Sequence, residues 1–295
     1  MTQFVKHVFW TWIFLSIFPT HFISLQAQDT IFLKGDTIRV GELEWDMEKD
    51  WRSKGPLLSE NPDLYGEDVK IFLGYHSNKN VEQIVFGYID EEDGFVAHGP
   101  ARYYYPSGHL LSKRYYIEGV LEGKAEDYHK NGKLMMKTWF REDVMDGGYR
   151  SFYENGITEQ KGKFEAGEAV GKLMAFYSNG QPKWIEYYEN GAKNGPDTTF
   201  YETGTVSAIS NYFQDEEDGH ARFFHRNGKP WTERVYENGR LKKIVYVKSK
   251  EGRPLEPGNF EEGWGWVNIY NDDGILIERD KYKDGYLRKT KKVKK

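Results

Sequence analysis

Short runs of alternating apolar and polar residues return along this chain every 24 residues, each run closed by a turn residue. Lys172-Leu-Met-Ala-Phe-Tyr177 and Lys183-Trp-Ile-Glu-Tyr-Tyr188 are one such pair, separated by Ser-Asn-Gly180 and its neighbours. Positions are numbered from the glycine that opens each copy. Position six is Tyr104, Tyr128, Phe152, Phe176, Phe200, Phe224 and Tyr270, and position eighteen is Tyr116, Phe140, Phe164, Tyr188, Tyr212, Tyr236 and Tyr282. All are aromatic in a chain that is 16% aromatic. Chance agreement would be on the order of one in 10¹¹, so the copies form a repeat array.

The glycines keep the same frame. The opening column is Gly99, Gly123, Gly147, Gly171, Gly195, Gly219 and, after an offset, Gly265. The column nine residues later is Gly108, Gly132, Gly156, Gly180, Gly204, Gly228 and Gly274. A third column reads Gly119, Asp143, Gly167, Gly191, Asp215, Gly239 and Gly285. Asn-Gly and Asp-Gly at the second column predict two-residue type I′ turns, so each copy reads as a β-hairpin. The third and first columns bracket a return loop. No stretch keeps a 3.6-residue apolar period, which argues against helix. The predicted fold is all-β: an elongated antiparallel meander of 24-residue hairpins in a single-layer sheet. Positions six and eighteen would line two ladders on one face. Position seven (Tyr105, His129, Tyr153, Tyr177, Tyr201 and His225) would form a stripe on the other. That stripe is the candidate binding surface, with shielding of the backbone as the equal alternative.

The ends depart from the frame. Lys6 precedes an apolar run from Val8 to Leu25 and then Gln26-Ala27-Gln28, the layout of a secretory signal peptide. Eighteen residues broken by Pro19 and His21 make a poor membrane span. The predicted organisation is a signal peptide at 1–27, an N-terminal β or irregular region at 28–69 and a degenerate capping repeat at 70–98. Six repeats over 99–242, an insertion at 243–264, a seventh repeat at 265–288 and a basic tail at 289–295 follow. Export to the periplasm, cell surface or medium is expected, with an uncleaved anchor as the alternative.

The repeat form, G-x-x-x-x-[FY]-Y-x-N-G followed by an aromatic and a Gly-bounded loop, resembles the MORN repeat. It is most similar to the bacterial variant in antitoxin-like proteins of the YwqK type. The resemblance covers 99–242 and 265–288. It implies a binding scaffold, in some members one that meets anionic lipid, and it implies no chemistry of its own.

Composition narrows the chemistry. The chain has no cysteine, which excludes disulfides, thiolate metal sites and a cysteine nucleophile. The net charge of -5 hides an asymmetry: without the six cations among the last eight residues it would be -11. An acidic body argues against nucleic acid. The histidines at 76, 98, 109, 129, 220 and 225 read as solvated loop or hairpin-edge groups rather than metal ligands. The acidic runs at 91–93 and 215–218 lack calcium-loop spacing and read as solvated loop charge. No catalytic, metal or cofactor-binding residue is assigned, no cofactor is expected, and the chain is read as no enzyme. The leading function is an exported repeat scaffold that binds a protein, peptide or glycan. Toxin neutralisation is one alternative. Anionic-lipid binding through array and basic tail is the other. The protein partner is unidentified and the oligomeric state is open.

Overall fold

The structure, a computed structural model, describes residues 70–91 and 94–293, together with the backbone of strands at 22–23, 30–33 and 36–39. The rest of the expected signal segment, most of 28–69 and the final two residues lie outside the described residues. No helix occurs among the described residues. Thr30–Leu33 and Asp36–Arg39 pair antiparallel as a hairpin inside the N-terminal β or irregular region. Phe22–Ile23 pairs with Lys70–Tyr75.

The chain divides into two compact units. The first holds 1–156 and 164–167, and the second holds 157–163 and 168–295. Each is an antiparallel meander in sequence order. In the first, Lys70–Tyr75, Val81–Asp90, Gly94–Tyr104, Leu110–Ile117, Gly123–Tyr128, Leu134–Arg141 and Gly147–Phe152 each pair with the next. In the second, Glu168–Phe176, Pro182–Glu189, Gly195–Phe200, Val206–Phe213, Gly219–Phe224, Pro230–Glu237 and Arg240–Val247 do the same. A three-stranded sheet, Gly265–Tyr270, Leu276–Lys283 and Tyr286–Lys292, closes the second unit.

The two hairpin ends use opposite turn chemistry from that expected. At the second glycine column the loop has three residues. The His129 N–H donates to the Lys133 carbonyl and the Gly132 N–H to the His129 carbonyl, both at 2.8 Å. Gly132 has φ +80°, while Asn131 keeps an ordinary φ. This is a type I turn followed by a left-handed glycine bulge, and the strand register shifts beside it, as between Leu134 and Met136. The asparagine is needed for its side chain instead: Asn131 Oδ1 accepts the Lys133 N–H at 3.0 Å. The type I′ turns lie at the return loops, where both central residues have positive φ: Glu142 and Asp143 (50° and 63°), Asn190 and Gly191 (49° and 74°), Asn238 and Gly239 (47° and 71°). Asn238-Gly239 is the return turn of copy six, with Glu237 paired to Arg240 as Glu189 is to Ala192. After the turn the chain pairs back at once, Glu189 with Ala192 and Tyr188 with Lys193, so little of the expected return loop is loop.

The register also corrects the ladders. Gly99 pairs with Tyr116, Ala101 with Arg114 and Tyr103 with Ser112. Directly paired residues share a face. Position eighteen therefore sits with positions one, three, five, fourteen and sixteen, and position six sits on the opposite face. Twelve residues apart is not one face here because the hairpin reversal pairs odd positions of one strand with even positions of the next. None of the fourteen ring residues is exposed.

The face shared by positions three, five, fourteen and sixteen is the covered one. Its centre holds small side chains: Ala101, Ala125 and Ala221 are each 1% exposed, as is Thr138. The 22-residue insertion belongs to the same pattern. Ser249 N–H donates to Arg253 carbonyl and Gly252 N–H to Ser249 carbonyl, the turn geometry seen at His129–Lys133, Tyr177–Gln181 and His225–Lys229. Thr232 pairs with Val247 as Ser112 pairs with Asp127, position fourteen to position five of the next copy. Gly258 then bridges to Val267 in the terminal sheet. The segment is an eroded copy two residues short, hidden in the sequence because Lys243 and Lys248 replace the opening glycine and the position-six ring, and Pro254 and Pro257 interrupt the motif between them and Phe260, the ring kept at position eighteen. Upstream, Lys79 (φ 68°) takes the glycine position in the equally eroded copy at 70–98.

Candidate binding face

Position seven is where the expected recognition stripe lies. Tyr105, His129, Tyr153, Tyr177 and Tyr201 are half-buried, and His225 is 2% exposed. The polar tips of Tyr105, His129, Tyr177, Tyr201 and His225 reach the next copy. Tyr105 Oη donates to the Tyr128 carbonyl (2.9 Å), Tyr177 Oη to Phe200 (2.7 Å) and Tyr201 Oη to Phe224 (2.6 Å). His129 Nε2 meets the Phe152 carbonyl at 2.8 Å and His225 Nε2 that of Lys248 at 3.0 Å. His76 in the capping copy does the same to Tyr104 at 2.8 Å. Turn asparagines add a parallel row: Asn131 Nδ2 donates to Glu154, Asn179 to Glu202 and Asn227 to Lys250. In this structure the column's tips join copies, which leaves ring surface rather than hydrogen-bonding groups for any ligand. The signal was present in the sequence: position six accepts Phe, whereas position seven carries Tyr, His or Asn, side chains that all end in a hydrogen-bonding group.

These bonds have a measurable worth. Tyr177→Phe and Tyr201→Phe keep the rings and each orphan a half-buried carbonyl. Each should cost about 1 kcal/mol in urea unfolding, with an unchanged circular dichroism spectrum. A change within error for the double variant would contradict the tie.

Return turns are tied as well. Asp143 and Asp215, the two aspartates in the third column, accept through Oδ1 the N–H of Leu121 and Lys193, each at 2.8 Å. Their own N–H groups donate back to the carbonyls of those residues. The run at 215–218 is thus part structural; of its four members Glu217 is half-buried.

The histidine reading needs correction at two places. His98 is 8% exposed, with Nδ1 at 3.0 Å from Glu118 Oε1. His225 packs on Trp231 (centroids 5.6 Å) and meets Asp272 at 3.2 Å. Both are packed because strand pairing continues past the turns that were expected to expose them. Among the described residues no group of three or more His, Asp or Glu side chains is placed to hold a metal ion.

Buried charge concentrates on the covered face. In the second unit Lys193 contacts Glu186 at 2.9 Å, also pairs with Asp197, and sits 3.9 Å above the centre of the Tyr212 ring. Burial raises the Asp197 carboxyl, and the Lys193 partner offsets only part of this. A cavity of about 10 Å³ lies among Trp231, Thr232, Arg234, Asn268 and Tyr270, which is space for about one water.

Two neighbours in the first unit titrate in opposite senses. Burial raises Asp127, and the Arg114 guanidinium at 2.5 Å only partly opposes it. Burial also raises Glu126, but hydrogen bonds from Lys124 and Tyr128 outweigh it and leave this carboxyl low. Stability from Asp127 is complete below the ordinary Asp range and is lost as pH rises through its raised native value. Stability from Glu126 is present above the ordinary Glu range and is lost as pH falls through its lowered one. In thermal melts between about pH 3 and 7, Asp127→Asn should lose less stability than wild type on raising pH, and Glu126→Gln less on lowering it. A shift of the same sign in both variants would refute the assignment.

No curated protein matches the chain. A solved structure titled "Crystal Structure of TcdB2-TccC3-Cdc42" is similar at 10% identity over 74% of this chain, with a TM-score of 0.17. The chain spans 14% of that structure's chain, and nothing about function follows from so slight a likeness. Residues 97–118, 121–138 and 217–238, lying in the first, second and sixth copies and their margins, match the family described as MORN repeat variant.

Proposed function

We propose that this protein is an exported, non-enzymatic repeat scaffold that binds a protein partner. The observation that carries this reading is the regular tie between copies. Within each unit, turns of successive 24-residue copies are bonded at a spacing of 23 residues, so exposed side chains recur in a fixed register. A surface of that kind suits extended or repeated partners, which repeat arrays engage along their length. The N-terminal basic-then-apolar segment supports export.

The test is in-cell cross-linking of the tagged full chain, with fractionation and N-terminal sequencing. The expected result is an exported form beginning at Gln28 and one reproducible protein adduct. Retention in the cytoplasm with Met1 intact would overturn export. Turnover of a small molecule by the purified protein, lost in a point variant that folds normally, would overturn the scaffold reading.

A further inference from the structure

The last strand of the second unit, Tyr286–Lys292, pairs with Leu276–Lys283 on one side, and no described strand covers its other edge. All seven of its residues are exposed. The Val293 N–H donates inward to the Ile277 carbonyl at 2.8 Å. Backbone groups alternate along an antiparallel strand, so the N–H groups of Thr290 and Lys292 point to the open edge.

Charge on this sheet is arranged against itself. Arg279 stands opposite Lys291, and Lys281 opposite Lys289. All four are exposed, and none forms an ion pair with another described residue. Like charges directly opposite destabilise a sheet. Lysines on an edge strand commonly guard it against aggregation, but that role calls for no second row of cations on the strand inside. Two facing rows are relieved by anions set between or beside them.

We propose that this edge receives an acidic, extended polypeptide segment as an added strand, a reading that rests on the scaffold function above. Acidic side chains at alternate residues would recur every ~6.6 Å, the spacing of Lys289 and Lys291 on their own strand. Main-chain bonds to the outward N–H groups supply affinity, and the cations select for acid. The acidic remainder of the chain repels such a segment and steers it to this end. A lipid headgroup or free polyanion would meet the cations but gain nothing from the open backbone edge.

The probe is a fluorescent ten-residue peptide with Glu at alternate positions and Thr or Val between, titrated against the full chain by anisotropy at low salt. Binding is expected, weakened at least ten-fold by Lys281→Glu with Lys289→Glu. Thr290→Pro should weaken it similarly when compared with Thr290→Val, because both variants lose the hydroxyl bond to Asp280 (2.6 Å) and only the proline loses the outward N–H. A peptide with Pro at its alternate non-acidic positions tests the same bonds from the ligand side and should fail to bind. No binding by wild type overturns the proposal. So does wild-type affinity in Thr290→Pro or for the Pro peptide, which would mean charge attraction alone. Binding to anionic vesicles that displaces the peptide and survives Thr290→Pro would assign the patch to membranes instead. A cross-linked partner indifferent to all these variants would leave the scaffold reading standing and remove this one.

Discussion

Gly258→Ala should cost about 3 kcal/mol or more and loosen the eroded copy from the terminal sheet. Gly258 has φ +103°, and a Cβ there would lie 2.1 Å from the Trp266 carbonyl oxygen and 3.2 Å from the Asn268 nitrogen. Both are backbone atoms, so no rotamer change relieves the clash. The same place carries the bridge to Val267 and the bond from the Asn268 N–H to the Pro257 carbonyl at 2.9 Å. Gly219→Ala is the matched control. Its φ is +87°, yet nothing lies within 4 Å of the added atom. That variant has backbone strain alone to bear, about 1–2 kcal/mol. Urea unfolding of both proteins separates close approach from conformational strain, and equal losses would refute the distinction.

Leu241→Ala is the second large effect, at about 2–5 kcal/mol. Leu241 is fully buried against Val267 and Tyr282, with Tyr236, Ile244, Phe260 and Ile269 packed around them. Its backbone is fixed as well, since its N–H donates to the Gly285 carbonyl at 3.0 Å. The site cannot collapse easily around a smaller side chain, which favours the upper part of that range. Val245→Ala, on the same strand and 42% exposed, should change stability by less than about 1 kcal/mol. A Leu241→Ala loss no larger than that of Val245→Ala would show that this cluster is not a core.

Strand class, the hairpin unit and its frame were legible because the period repeats the same physical demand in every copy. What was hidden follows from how period and pairing interact. Which face position eighteen takes depends on the pairing of Gly99 with Tyr116, and no single strand reveals that. The Asn-Gly pairs looked like type I′ turns because both residues tolerate positive φ. In the second column the asparagine serves as acceptor and cross-copy donor, and only glycine takes the unusual φ. The copy at 243–264 was hidden because its pairing is carried by backbone bonds, which survive loss of the opening glycine and the position-six ring. Position seven was identifiable as a column, but its partners were not, since a carbonyl leaves no mark in sequence.

The ties described between copies are short in chain terms: 23 residues at the ring and asparagine rows, 22 at the return turns. No copy depends on a distant one for these bonds. Loss or duplication of one whole 24-residue unit within such a run would let every such bond re-form with the new neighbour. A twelve-residue change would set each first strand beside the wrong side of the next hairpin. The gene can therefore lengthen or shorten this protein in whole steps, and the eroded 22-residue copy marks how far one step can decay while its bonds still close.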